Sequence, residues 1–383
     1  MNNDKGENKN REHDKEKKES FKEGIDGDTT TMKQNDIYNA TNSLKKYVRQ
    51  KSPQIKSSQH VAPYPLMQLM IKGSANSAYS GSTLMDNGYI NRDCLKYVLA
   101  RGCRFVDFQV YLYDNNAYVG YFKNINNIVP DHVNQVNVLL NDILKDCVIF
   151  GMSKQFLGQN LTGLISYDVP NYQDPLFIQI RLNNALPPAD KLLLMQLIQK
   201  QMQELSQQYS PYFTFTGVSS TTFMKDLMGK IVFVFEKDSD VLNQNVAFYN
   251  NLSNQFNVLF YDDCNINYIP YSQIDKSKYK ANPPMIKSLI DADGNSQSMT
   301  NVETFNVVYP DNNATSVLSN VNIFSATADY GCQIVLMQYY MIDIGGNCTQ
   351  YLNLTETMFD NFGYAFVPLS SSVSYVKTQI CNY

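Results

Sequence analysis

Residues 93–122 read DCLKYVLARGCRFVDFQVYLYDNNAYVGYF, and this stretch decides the fold. Val98 and Leu99 close an apolar helical stripe, Gly102 sits where a helix must stop, and RFVDFQVYLY then alternates with period two. A helix gives way to a strand across a Gly-Cys-Arg turn, and a polar turn leads into a second strand. On the first strand Phe105, Asp107, Gln109 and Tyr111 share one face, and Val106, Phe108, Val110 and Leu112 the other. Asp107 and Gln109 therefore point the same way. An acid and an amide in an otherwise apolar strand are costly unless they meet water, a ligand or a counter-charge, so they mark a candidate site at a strand end.

Outward from this stretch, strand and helix patterns alternate. Residues 66–72 form a first strand, followed by the loop GSANSAYSG, and 89–100 the first helix. A second helix is expected over 130–145, PDHVNQVNVLLNDILK, where Pro130 suits a helix start and Val133, Val136, Leu139, Leu140, Ile143 and Leu144 recur at helical spacing. Further strands fall at 176–182, 230–235, 257–261, 302–309 and 334–342, with helices at 188–207 and near 354–359. This cadence predicts an α/β architecture, and the length suits a TIM, or (β/α)8-type, barrel. Between 262 and 301 the pattern dissolves into Asn, Ser, Asp and Pro, as in an insertion or linker. Its Asp291-Ala292-Asp293-Gly294-Asn295 run fails as a calcium loop, because Ser296 and Val302 stand where Gly and Glu are needed.

Residues 1–58 are rich in Lys, Glu, Asp and Asn and too poor in apolar residues to offset the entropy of ordering, which predicts a flexible, disordered N-terminal tail. Within it TNSLKKYVRQK, 41–51, could make a short basic helix offering Leu44, Lys45, Lys46, Tyr47 and Arg49 to a membrane or protein partner. The net charge of -4 gives no general attraction to nucleic acid. Seven cysteines without a C-x-x-C pair argue for reduced thiols rather than a zinc ribbon or disulfide scaffold. A charged N-terminus and no run of bilayer length point to a cytoplasmic, non-secreted chain.

YVLARGCRFVDFQVYLYDNNAYVGYF resembles the start of the X half of phosphoinositide-specific phospholipase C. Echoes follow in that family's order at DPLFIQIRL (174–182), LMGKIVFVFEK (227–237), YP (309–310), GCQIVLMQYY (331–340) and FGYAFVPL (362–369). The resemblance implies one PLC-like barrel over 59–383, with an X-like half at 66–238, a poorly matched 239–301 and a Y-like half at 302–370. It also implies phosphodiester cleavage by two histidines and a calcium ion. Position by position, this chemistry is missing. Ala75 stands for the first histidine, leaving Asn76; the second falls on Val119, Gly120 and Tyr121, and a Tyr with an ordinary pKa of ~10 is a poor base at neutral pH. The three histidines, His13, His60 and His132, lie elsewhere. Asp107 matches one metal carboxylate, Gln109 replaces another, and Arg181 falls where the family has Glu.

A hard dication wants several anionic oxygens and is repelled by a fixed cation, so no metal is expected. An Asp107–Arg181 ion pair is expected in its place, completed by Asn76 and Gln109. The family's head-group cations fall on Val234, Glu236 and Val307, while Tyr309 matches a Tyr that stacks on the inositol ring. The resemblance therefore implies a catalytically degenerate barrel used as a binding or structural protein. The alternative is a divergent phosphoric diester hydrolase working through Asp107, Gln109, Asn76 and Tyr121 with a metal. Similar degenerate barrels are familiar in large DNA viruses, and the Asn-, Tyr- and Lys-rich composition suits an AT-rich genome, so a viral component, virion included, is part of the expectation.

Overall fold

The computed structural model describes residues 42–46, 55–80, 87–88, 90–122, 138–153, 155–158, 165–182, 186–261, 266–274, 305–310, 320–328, 330–341 and 346–380. Eight parallel strands build the centre: β1 Leu69–Ser74, β2 Phe105–Tyr113, β3 Leu176–Leu182, β4 Ile231–Phe235, β5 Val258–Phe260, β6 Ile266–Pro270, β7 Phe305–Tyr309 and β8 Ile334–Met337. Each pairs in parallel with its sequence neighbour, except that no pairing joins β5 to β6 among the described residues, and β8 returns to pair with β1. The sheet thus curls round in chain order, as in a (β/α)8 barrel left open along one seam. Helices α1 Arg92–Ala100, α2 Leu140–Gly151, α3 Pro188–Gln208, α4 Phe248–Gln255, α5 Ile323–Ala328, α6 Gly346–Phe362 and α7 Leu369–Ile380 lie between or after the strands. None of the described helices is long and apolar enough to cross a membrane.

The strands form where continuous apolar runs can be buried on both faces, as IVFVF in β4 is. Helix α1 starts at Asn91, whose side chain accepts the Asp93 N–H at 2.9 Å, and ends before Gly102, whose φ of +82° lets the chain turn at once into β2. Gly73 in β1 is needed for a different reason. A Cβ there would lie 2.7 Å from Leu336 of β8, so the strand can approach its neighbour only without one. At the N-terminal end of the strands, Phe105, Phe177 and Phe366 bring their rings within 6.1 and 6.3 Å and fill the interior. Phe366–Pro368 runs antiparallel to β1.

Between barrel and helices lies a buried ionic cluster. Glu356 of α6 receives Lys72 of β1 at 2.7 Å, together with Arg101 and the Tyr339 hydroxyl, and none of these charged side chains is exposed. Burial opposes ionisation of Glu356, yet Lys72 and Arg101 outweigh it and hold its carboxyl below the ordinary range.

Several expectations change. Helix α2 starts at Leu140, because Val138–Leu139 is taken up as a strand against Asn116–Val119; residues 123–137 lie outside the described part. Residues 66–68 form a 3-10 turn, so the first strand begins at Leu69. The polar stretch after 262 contains β6, whose partner is β7. The helix near 354–359 extends over Gly346–Phe362. Most of the expected tail, 1–41 and 47–54, lies outside the described residues, including Tyr47 and Arg49. Residues 42–46 are helical, but Leu44 is packed into the core and not presented to a surface. Ile55 to Ser58 belong to the fold: buried Asp174 accepts from the Ser58 N–H at 2.7 Å, the Ser58 hydroxyl at 2.7 Å and the Ser57 hydroxyl at 3.1 Å.

Candidate functional site at the barrel mouth

In parallel barrels the C-terminal strand ends carry the chemistry. Here β2 and β3 pair so that Asp107 faces Gln179 and Gln109 faces Arg181, and all four share the face that Phe105 and Phe177 turn inward. Just past β1 the chain turns through Asn76, which takes a φ of +44°, a conformation asparagine tolerates. Ser77 N–H then donates to the Asp107 carbonyl at 2.9 Å, and the Asp107 N–H donates to the Ser77 hydroxyl at 3.0 Å. The first loop is thereby clamped over the second strand.

Within this clamp Arg181 grips Asp107 bidentately. Nε donates to Oδ1 at 2.7 Å and Nη2 to Oδ2 at 2.9 Å, while the Asn76 N–H donates to Oδ2 at 2.9 Å. Nη2 also donates to the Asn76 side-chain oxygen at 2.8 Å. Asp107 is 1% and Arg181 15% exposed, so the pair is largely out of water. Burial alone would make the guanidinium easier to deprotonate, but the Asp107 carboxylate reverses this and drives its pKa above the ordinary value. Both carboxylate oxygens are thus engaged by protein donors. Gln109 lies beside Arg181 in register but gives no hydrogen bond to the pair among the described residues; the acceptor is Asn76.

At the other candidate positions, Ala75 is buried and Gly120 offers its N–H to the Gln109 carbonyl at 3.1 Å. Tyr121 pairs with Gly88, and its side chain lies outside the described residues. Tyr309 stacks on Tyr268, ring centroids 3.9 Å apart and planes 10° apart. Among the described residues no group of three or more His, Cys, Asp or Glu converges to hold a metal ion. The donors at the mouth also suit calcium poorly: one carboxylate already bonded, an amide, and a guanidinium whose charge would repel it.

Three residues escaped the sequence reading. The Gln179 amide and the Tyr261 and Tyr268 hydroxyls are buried without a hydrogen-bond partner of good geometry among the described residues, and burial pushes both tyrosine pKa values up. The amide lies close enough to Tyr268 to influence its titration without bonding it squarely. Gln179 had a signal, being two residues before Arg181 and hence on its face of the strand. The tyrosines had none in a chain with 27.

No protein-family model matches the chain, and no curated protein sequence does. Among solved structures it is similar to PLC21 of L. pealei at 12% identity and a TM-score of 0.49, covering 80% of this chain and 37% of that one. The match therefore spans little more than a third of the PLC21 chain. A calcium-dependent phosphoinositol-specific phospholipase C from a Pseudomonas species aligns over 83% of this chain and 99% of its own, at 13% identity and a TM-score of 0.35. A glycerophosphoryl diester phosphodiesterase from Silicibacter pomeroyi aligns over 74% and 93%, at 9% identity and a TM-score of 0.35.

Proposed function

We propose that this chain is a divergent phospholipase-C-like barrel that has lost phosphodiester hydrolysis and serves as a binding or structural protein. The observation that carries the reading is the bidentate Arg181–Asp107 pair, which occupies the carboxylate that a cation would need. Ala75 and Gly120 support it, since neither side chain can move a proton. Retention of a barrel without its chemistry is physically ordinary, because core packing and catalytic groups occupy different positions. The Asn-, Tyr- and Lys-rich composition supports placing the protein in a large DNA virus, as a virion or cytoplasmic component.

The test is hydrolysis of phosphatidylinositol and of a soluble chromogenic phosphodiester by the full chain, with calcium and with a chelator. No turnover above a heat-denatured control is expected in either case. Turnover that disappears in Asp107→Ala would overturn the proposal in favour of a diester hydrolase working through a rearranged site.

A further inference from the structure

At the other end of the barrel, the loops that lead into the strands border an open groove of about 640 Å³, within the ~300–1,000 Å³ typical of small-molecule sites. Gln59 and Ala62 come from the segment before β1, Tyr172 from the loop before β3, and Lys225, Met228 and Gly229 from the segment before β4. We propose that this groove binds a small amphipathic carboxylate, with its anionic head at Lys225 and its apolar body between Met152, Met228, Tyr172 and Tyr212.

Charge selects the head group. Lys225 is the one ionisable cation or anion, apart from tyrosine, among the residues lining the groove. Its ammonium lies 5.4 Å from the centroid of the half-exposed Phe223 ring and forms no salt bridge among the described residues. A monoanion gains a charge-assisted hydrogen bond there without displacing a protein carboxylate. Two methionines and two tyrosines then favour an unbranched apolar body, because thioether side chains adapt to such a shape.

The walls are also held in place before any ligand arrives. Lys225 N–H donates to the Ala62 carbonyl at 3.0 Å, Gly229 N–H to the Gln173 carbonyl at 2.7 Å, and the Tyr212 hydroxyl to the Met152 carbonyl at 3.3 Å. Gly229 takes a φ of +68°, and a Cβ built on it would meet nothing within 4 Å, so the wall there is open space. The groove opens at the N-terminal strand ends, whereas Asp107 and Arg181 lie at the C-terminal ends, so this site stands or falls independently of the proposed loss of hydrolysis.

The experiment is isothermal titration calorimetry of the full chain with sodium octanoate and with 1-octanol, its uncharged counterpart. Saturable one-site binding of octanoate, at least tenfold tighter than octanol, is expected. Lys225→Gln should erase the preference and Lys225→Arg should keep it; both changes are at an exposed side chain and should leave the melting temperature unchanged. Ala62→Phe, which fills the groove, should weaken both ligands. Absence of saturable octanoate binding, equal affinity for the two ligands, or an undiminished preference in Lys225→Gln would overturn the proposal.

Discussion

Arg181→Met removes the guanidinium and leaves the Asp107 carboxylate, 1% exposed, with only the Asn76 N–H of its three donors. Asp107→Leu does the reverse, leaving a mostly buried cation with only the Asn76 side-chain oxygen. Removing one partner of a buried pair costs about 3–5 kcal/mol, because the other charge is then buried uncompensated. Replacing both with apolar side chains removes two desolvated charges together, and the double variant should lie within about 2 kcal/mol of the parent. The coupling in the cycle should therefore be several kcal/mol, far above the ~0.5 kcal/mol within which independent sites add. At roughly 2 °C per kcal/mol, each single variant should melt about 6–10 °C lower. With no Trp and 27 Tyr in the chain, urea unfolding is best followed by far-ultraviolet circular dichroism alongside tyrosine fluorescence. A double variant as unstable as the sum of the two singles would refute the idea that these residues hold each other.

Ala75→His should give no cyclic phosphodiester product from phosphatidylinositol, since it restores one proton carrier without a second at Gly120 and groups of a catalytic unit act non-additively. Arg181→Glu combined with Gln109→Asp should make stability depend on calcium, because two added carboxylates would then crowd that of Asp107 and repel until a dication joins the three; a melting temperature indifferent to calcium and chelator would count against the geometry. Glu356→Gln should destabilise by about 3–5 kcal/mol by removing the carboxylate that buried Lys72 and Arg101 share, although Arg101 keeps Asp360 at 3.4 Å. In the parent, the Glu356 carboxyl has a folded pKa below its ordinary 4.5, so its contribution is complete above about that value and is lost as pH falls through the folded pKa. The difference in unfolding free energy between parent and Glu356→Gln should shrink along that acid limb, and a constant difference from pH 7 to 3 would contradict the assignment.

What the sequence made legible followed from local pattern. IVFVF reads as a buried strand because apolar side chains fill both faces, and LFIQIRL reads as one because Leu176, Ile178, Ile180 and Leu182 fill one face while Gln179 and Arg181 share the other; they lie at Ile231–Phe235 and Leu176–Leu182. The helix at Pro188–Gln208 announced itself by its proline start and its apolar face. The strand Ile266–Pro270 did not, because it is short, polar on both flanks, and held by its pairing with β7 rather than by propensity. Helix α7 was hidden by the Ser-Ser-Ser run within it, at Ser370 to Ser372, a weak helix former that burial of Val373 and Val376 overrides. At the mouth, Asp107 and Arg181 could be paired in advance only because a family alignment placed them on adjacent strands. Gln109 was assigned to the same hydrogen-bond set by its shared face, but sharing a face does not fix which acceptor a guanidinium reaches first. The Lys72–Arg101–Glu356 cluster was invisible, since Arg101 and Glu356 lie 255 residues apart and nothing local links them.

That separation bears on how the chain is made. Lys72 and Arg101 leave the ribosome long before Glu356, and at about 5–20 residues per second the interval is roughly 13–50 s. Throughout it, the first strand and the turn after α1 carry cations destined for a dry environment, with their common anion not yet synthesised. Their burial must wait for α6. The early part of the barrel is therefore kept from settling by electrostatics until the late part exists, and a nascent chain of this kind exposes apolar strand surface for the same interval, the period in which a chaperone has most to bind.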